Sequence, residues 1–207
     1  MPPLYRIAGW IFPLLVAGRK RWLGLEHVPE TGFVLAANHV SSMDPFILGI
    51  PLWPRRHIRY MAKAELFNRW LAPAMRAIGA FPVRRGEADA EALRTALQLL
   101  RDGEIVGMFP EGTRQTKGLR KKFESKPHPG TARIALAAGV PLVPAAIAGT
   151  DRLLRFGRIT VAFGPPIPLD DLAGMPRRKA AVIATDRLMA AIGSLKADVD
   201  GSRASRG

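Results

Sequence analysis

The sequence of 207 residues contains no cysteine. Disulfide bridges, cysteine-ligated zinc and thiolate nucleophiles are therefore excluded, although this absence leaves the cellular compartment open. Acidic residues are also scarce, because 17 Asp and Glu stand against 31 Lys and Arg, which gives a net charge of +14. An excess of positive charge on this scale predicts an anionic partner: nucleic acid, an anionic membrane surface or a phosphorylated substrate.

The first residues lack an uncharged run long enough to cross a bilayer. Residues 7–18 carry no charge, but as a helix they would span about 18 Å, against a hydrocarbon core of about 30 Å. Tyr5, Trp22 and the basic residues 19–21 flank this run. The pattern is typical of a segment that lies in a membrane interface, and the alternative is a buried N-terminal helix. We predict that residues 1–24 form an amphipathic, helical membrane-anchoring segment.

The remaining sequence alternates between strand-like and helical patterns. Short apolar runs typical of strands occupy residues 32–37, 58–61, 80–83, 105–109, 142–147 and 159–163. Amphipathic helical patterns occupy residues 65–78, 88–101, 131–138 and 177–195. This order predicts an α/β fold with a mostly parallel central sheet flanked by helices. No repeat or linker interrupts it, so we predict one domain over residues 25–197 and a flexible tail over residues 198–207.

The first chemically distinctive stretch reads NHVSSMDP and directly follows the strand-like residues 33–37. Residues five apart on one helix lie about 140° apart around its axis, so a helix would separate His39 from Asp44. A turn from the strand into a helix could bring them together, with Asp44 as N-cap and Pro45 in the first turn. A carboxylate on one imidazole nitrogen leaves the other free to take a proton. The alternative is a capping Asp44 and a packed His39.

The second stretch reads FPEGTR and follows the strand-like run that ends at Met108. Open α/β sheets bind ligands at the carboxyl ends of their strands, where Glu111 and Arg114 would stand. The planar guanidinium of arginine donates two hydrogen bonds to a phosphate at once. Arg84 and Arg85 follow another strand-like run in the same way. The alternative is a set of ordinary surface turns with exposed charges.

Four stretches, NHVSSMD, GAFPVRR, FPEGTR and VPLVP, occur in this order between residues 33 and 147. Together they resemble the four motifs of the glycerolipid acyltransferase family, and the resemblance covers over half of the chain. It implies that His39 is a general base and that Asp44 holds it. It also implies an acceptor site at Arg84, Arg85, Glu111, Gly112, Thr113 and Arg114, and an acyl or donor side at Val140, Pro141 and Pro144. Lys126 is the nearest basic residue to a lysine that relatives carry after the third motif.

The resemblance further implies the reaction. A fatty acyl group would pass from acyl-CoA or acyl carrier protein to the sn-2 hydroxyl of 1-acylglycerol-3-phosphate, giving phosphatidic acid for phospholipid synthesis without a metal or other cofactor. Another lysolipid, an ornithine lipid or a glycolipid is the alternative acceptor. Because such substrates lie in bilayers, we expect a peripheral, monotopic enzyme on the cytoplasmic face of the cell membrane. A nucleic-acid partner is not expected, because no helix-turn-helix or RNA-binding pattern is present.

Overall fold

The computed structural model describes residues 20–84, 89–111, 127–151 and 157–204. Within these ranges seven strands form one sheet and five α-helices flank it. The strands are β1 (Lys20–Leu23), β2 (Phe33–Ala37), β3 (Ile58–Lys63), β4 (Phe81–Val83), β5 (Ile105–Met108), β6 (Leu142–Ala148) and β7 (Ile159–Phe163). The helices are α1 (Asp44–Gly49), α2 (Ala72–Ala77), α3 (Ala90–Arg101), α4 (Gly130–Ala138) and α5 (Arg177–Ala204).

The sheet has the order β1-β7-β6-β2-β5-β3-β4. All neighbouring strands are parallel except β6 and β7, which confirms the predicted mostly parallel α/β fold. The central strands β2 and β6 are buried along their whole length, as continuous apolar runs predict for strands covered on both faces. The carboxyl ends of β2, β5, β3 and β4 therefore meet at one edge of the sheet.

The register places the residues that follow these strands at a common level. Ala36 lies opposite Met108, Tyr60 lies opposite Gly107, and Lys63 lies opposite Val83. The strands that precede the motifs therefore end at the same edge of the sheet. The segments that carry His39, Glu111 and Arg84 leave the sheet at this edge.

Two hydrophobic layers cover the sheet, because side chains alternate between its faces. Phe33 and Leu35 of β2 pack with α1 on one face. Val34 and Ala36 face α3, α4 and α5 on the other. The loop that follows β2 is held between these layers at the edge of the sheet.

The N-terminal boundary differs from the prediction. Residues 20–23 form β1, an edge strand that pairs in parallel with β7, so the folded domain begins before residue 24. The strand is short and begins with two exposed basic residues, Lys20 and Arg21, so it carries no apolar alternation that would reveal it. Residues 1–19, which contain the rest of the predicted anchor, lie outside the described residues.

The helix predicted over residues 65–78 is also wrong. The chain forms a 3-10 helix at Ala64–Phe67 and the short α2 instead. Asn68 separates them, because its side-chain oxygen accepts hydrogen bonds from the backbone N–H groups of Trp70 and Leu71, each at 3.0 Å. Asparagine offers the backbone this local alternative to a helix.

The C-terminal helix is longer than predicted. We expected α5 to end at residue 195 and a flexible tail from residue 198, but α5 extends to Ala204. Val199 is fully buried and packs with Leu195 against β6 and β7, which ties this part of the helix to the sheet. Among the described helices, none is both long and apolar enough to span a membrane.

Candidate active site

Asn38 attaches the loop after β2 to the neighbouring strand. Its side-chain NH₂ donates to the carbonyl of Ile147 at 3.0 Å, and its side-chain oxygen accepts from the N–H of Ile147 at 2.8 Å. This buried pair continues the β2–β6 ladder after the backbone of β2 has turned away. The start of the loop that carries His39 is therefore fixed by the sheet.

The turn brings His39 and Asp44 together, as the strand-to-helix argument predicts. His39 Nδ1 lies 2.8 Å from Asp44 Oδ2, and because a carboxylate only accepts, Nδ1 carries the proton. The same oxygen accepts from the backbone N–H groups of Val40 at 2.6 Å and Ser41 at 2.8 Å. Asp44 is fully buried, whereas 16% of the His39 side chain is exposed. A buried, anchored carboxylate thus orients a histidine that solvent or a substrate can reach.

The expected capping role of Asp44 is wrong. The N-cap of α1 is Met43, and no side chain caps this helix. Asp44 is the first helical residue, and its carboxylate folds back onto the preceding loop instead of forward onto the helix. Its place in the first turn of α1 still favours negative charge, because the free N–H groups there carry partial positive charge.

Thr150 is a part of this site that the sequence analysis missed. Its hydroxyl donates to Asp44 Oδ1 at 2.6 Å, and both groups are buried. Each carboxylate oxygen of Asp44 therefore has a donor. A signal was available, because Thr150 is a polar residue just beyond the buried strand β6, whose carboxyl end lies at the same edge as that of β2.

Aromatic rings brace the imidazole from one side. The ring of Phe109 stacks on His39 with centroids 4.2 Å apart, and Tyr60 stacks on Phe109 at 6.1 Å. The Tyr60 hydroxyl donates to the carbonyl of Pro45 at 2.7 Å, which fixes the outer ring. Gly107 makes room for this stack, since a Cβ atom there would lie 2.6 Å from the ring of Tyr60.

Glu111 lies on the other side of the same loop. Its Oε2 accepts from the backbone N–H of His39 at 3.4 Å. Burial raises the pKa of the Glu111 carboxyl, although this hydrogen bond and the positive charge of Lys196 on α5 oppose the shift. Glu111 therefore contacts the backbone of the loop that carries His39, and its role toward an acceptor stays a prediction.

Of the remaining predicted acceptor residues, the structure describes Arg84. Arg84 lies on the same edge and is exposed, but three strand positions separate β4 from β2, or about 14 Å at the usual strand spacing. Its backbone N–H donates to the Asp89 carboxylate at 2.8 Å. Outside the described residues lie Arg85, Gly112, Thr113, Arg114 and Lys126.

The predicted acyl or donor side requires a correction. Val140 and Pro141 precede β6, and the carbonyl of Pro141 accepts from the N–H of Val34 near the start of β2. They therefore lie at the amino end of the strands, opposite the edge that carries His39. Pro144 is buried within β6, close to Leu195 of α5. Val140 and Pro141 therefore lie away from His39, and a donor-side role of Pro144 stays a prediction.

Metal ligation has no support in the part of the chain that the structure describes, where no three His, Asp or Glu residues form a group able to hold an ion. The chemistry available at the edge is that of one oriented imidazole. An imidazole with a carboxylate on Nδ1 can accept a proton at Nε2 and return it later.

Comparisons with known proteins identify the family of this chain. The sequence model of the Acyltransferase family matches residues 21–148. The chain is 35% identical, over 90% of its own length and 93% of the relative's, to 1-acyl-sn-glycerol-3-phosphate acyltransferase of Bacillus subtilis. It is 29% identical to the Streptococcus pneumoniae protein of the same name, over 77% of this chain and 60% of that one.

A solved structure shares the fold. The crystal structure of the 1-acyl-sn-glycerophosphate acyltransferase from Thermotoga maritima superposes with a TM-score of 0.62, covering 94% of this chain and 79% of the other, at 23% sequence identity. The family match spans more than half of the chain, and the Bacillus subtilis relative matches over nearly its whole length. The chain belongs to the Acyltransferase family.

Proposed function

We propose that this protein transfers a fatty acyl group from a thioester to the sn-2 hydroxyl of 1-acylglycerol-3-phosphate, producing phosphatidic acid. The acyl donor is acyl-CoA or the acyl thioester of acyl carrier protein. The names of the Bacillus subtilis and Streptococcus pneumoniae relatives support this acceptor. The observation that carries the proposal is the 2.8 Å contact between His39 Nδ1 and the buried Asp44 carboxylate at the carboxyl edge of the sheet.

His39 acts as the general base in this reaction. Asp44 holds the Nδ1–H tautomer, so Nε2 carries the lone pair that receives the proton of the acceptor hydroxyl. The hydroxyl oxygen attacks the thioester carbonyl carbon directly, and the Asp44 charge stabilises the imidazolium that forms.

The same imidazolium completes the transfer. When the tetrahedral intermediate collapses, the C–S bond breaks and the thiolate leaves with the proton that His39 holds. The products are an ester and a free thiol, and His39 returns to its starting state. No serine or cysteine nucleophile is required, since the lipid hydroxyl itself attacks the acyl group.

The acceptor phosphate requires cationic partners, and the predicted candidates are Arg84, Arg85, Arg114 and Lys126. The net charge of +14 supports an anionic substrate and an anionic membrane surface. A peripheral location on the cytoplasmic face of the membrane follows from the proposed substrates, with residues 1–19 as one anchor. Deleting residues 2–19 tests that anchor without removing β1, and vesicle binding equal to that of the full chain would count against it.

An acyl-transfer assay tests the function. Purified protein is given 1-acylglycerol-3-phosphate in mixed micelles with acyl-CoA or with acyl carrier protein that bears a fatty acyl thioester, and phosphatidic acid is measured by mass spectrometry. We expect His39→Ala to lower kcat by about 10³-fold, the scale of general base catalysis. His57→Gln, at a buried histidine remote from this edge, is the matched control and should retain turnover.

Two outcomes would overturn parts of the proposal. Turnover by a folded His39→Ala protein at the wild-type rate would remove His39 as the base. A wild-type protein that acylates another lysolipid, an ornithine lipid or a glycolipid, but not 1-acylglycerol-3-phosphate, would correct the acceptor and leave the acyl-transfer chemistry intact.

A further inference from the structure

Three large apolar side chains are exposed close together in the segment between β3 and α2. The exposed fractions are 76% for Trp70, 46% for Leu71 and 40% for Leu66. Only two other large apolar residues in the described structure, Leu25 and Val182, are exposed to this degree. We call Leu66, Trp70 and Leu71 the Trp70 patch. Three large apolar side chains this exposed within one short segment indicate a contact surface.

The segment that carries the Trp70 patch is attached to the core. Phe67 and Met75 pack against the buried residues on the His39 side of the sheet. Asn68 fixes the turn between them through its hydrogen bonds to the N–H groups of Trp70 and Leu71. The exposed side chains therefore project from a fixed base, and the fold holds them out of the core.

Exposed basic residues flank the patch in the sequence, and one of them contacts Trp70. Lys63, Arg69 and Arg76 are exposed, and Glu65 is the only acidic residue between positions 63 and 76. The Arg69 guanidinium lies 4.4 Å from the centre of the Trp70 ring. Tryptophan and leucine flanked by arginine and lysine suit the boundary between anionic lipid headgroups and acyl chains. The apolar side chains contact the acyl chains, and the basic groups contact the headgroups.

The patch lies on the same edge of the sheet as His39. Ala64 follows the carboxyl end of β3, and Glu111, whose carboxylate contacts the His39 backbone, follows the carboxyl end of the neighbouring strand β5. Only β5 separates β3 from β2 in the sheet. A surface that bound the Trp70 patch would therefore lie at the edge of the sheet that carries His39.

We propose that the Trp70 patch docks into the headgroup region of an anionic bilayer and brings the His39 edge to the membrane. The flanking basic residues select the anionic surface, and the apolar side chains enter it. This inference rests on the proposed function, in which the acceptor is a lipid held in that bilayer. It adds a contact within the folded domain to any contribution of residues 1–19.

Vesicle flotation of the full chain tests the proposal. The vesicles contain phosphatidylcholine alone or phosphatidylcholine with phosphatidylglycerol. We expect the Trp70→Ala/Leu71→Ala variant to bind the mixed vesicles about tenfold more weakly, since each large apolar side chain loses its burial in lipid. Trp70→Phe should retain most binding. Val182→Ala, which removes an exposed apolar side chain from α5, is the matched control and should bind as the wild type does.

Turnover separates this proposal from the proposed function. With short-chain substrates dissolved as monomers, the double variant should match the wild type, whereas with vesicle-embedded acceptor its rate should fall with its binding. Unchanged vesicle binding by the double variant would overturn the patch even if the wild type transfers acyl groups. If the wild type transfers no acyl group to either substrate, the proposed function fails, and weaker flotation of the double variant still assigns the patch.

A second copy of the chain is the competing occupant. Sedimentation velocity distinguishes it, because loss of a wild-type dimer in the double variant, together with unchanged flotation, would assign the patch to self-association and overturn membrane docking.

Discussion

The described part of the chain contains two histidine–carboxylate pairs, and their differences explain why one is a candidate base. His39 Nδ1 lies 2.8 Å from Asp44, whereas His57 Nδ1 lies 3.8 Å from Glu104. Asp44 is fully buried and accepts from two backbone N–H groups and one hydroxyl besides His39. The Glu104 side chain is 32% exposed.

The two pairs also lie at opposite ends of the sheet. His39 follows β2 at the carboxyl edge, whereas His57 and Glu104 directly precede β3 and β5 at the amino edge. Ligands in open parallel sheets bind at the carboxyl ends of strands. A histidine near a carboxylate is therefore weak evidence for a catalytic base. The evidence is stronger for His39, because it lies at the carboxyl edge of the sheet and because its carboxylate partner is held by three further hydrogen bonds.

Replacing Asp44 and Glu104 separately by the corresponding amides should give the largest difference in turnover between the two pairs. In Asp44→Asn the side-chain oxygen can keep the three N–H donors while the amide NH₂ faces Thr150, so the fold is retained and the charge is lost. We expect kcat to fall by about 10²- to 10³-fold. Glu104→Gln should keep turnover within about twofold, because it leaves the carboxyl edge intact. Acyl-transfer rates measure turnover, and thermal unfolding shows whether each variant is folded. A similar loss of turnover in the two variants would contradict the assignment of His39, rather than His57, as the base.

Removing the hydroxyl of Thr150 should have the next largest effect. Thr150→Val leaves Asp44 Oδ1 buried without this donor, which costs about 1–3 kcal/mol of stability. We expect kcat to fall by about tenfold, within the range of a single lost hydrogen bond to a charged group, with KM unchanged. Thr150→Ser keeps the donor and should restore turnover. If Thr150→Ser and Thr150→Val have the same turnover, the hydroxyl does not contribute to catalysis and Thr150 has only a packing role.

The second pair should affect stability in acid. Burial lowers the pKa of His57, with Glu104 opposing the shift. The unfolded chain therefore binds more protons than the folded chain below about pH 6.5, the ordinary pKa of histidine, and stability falls on acidification. His57→Gln should flatten this fall. Urea unfolding at pH 7.5 and 5.5 measures it, and parallel losses in both proteins would exclude His57 as the cause.

Glu111 should give the smallest effect. Burial raises the pKa of its carboxyl, so the ionised form above its ordinary pKa of about 4.3 disfavours the folded state. Glu111→Gln keeps an acceptor for the His39 N–H and removes that charge. Its stability relative to the wild type should therefore be greater at pH 7 than at pH 4. Denaturant unfolding at both pH values checks this, and the opposite trend would show that Lys196 outweighs burial.

The sequence predicted the parts of this molecule that depend on local patterns. Continuous apolar runs predicted the central strands, and the expected turn from β2 into a helix predicted the meeting of His39 with Asp44. The catalytic roles of these residues remain predictions for the assays above.

The missed features depend on contacts between distant parts of the chain. Thr150 meets Asp44 across 106 residues, so no local pattern contains the contact. β1 is a strand only because β7 pairs with it. The break at Asn68 could have been read from the sequence, because asparagine commonly caps a helix, but the apolar spacing of residues 65–78 outweighed that signal.

The side chain of Asn38 imitates a peptide group when it binds both backbone groups of Ile147, 109 residues later in the chain. The loop that carries His39 is thus attached to β6 through Asn38. Three residues after Ile147, the same segment supplies Thr150, which donates to Asp44. During folding, the reactive pair cannot reach its final geometry until this late strand has inserted into the middle of the sheet. Activity therefore requires the complete sheet. Substitutions near Ile147 would lower activity even though every motif residue is unchanged.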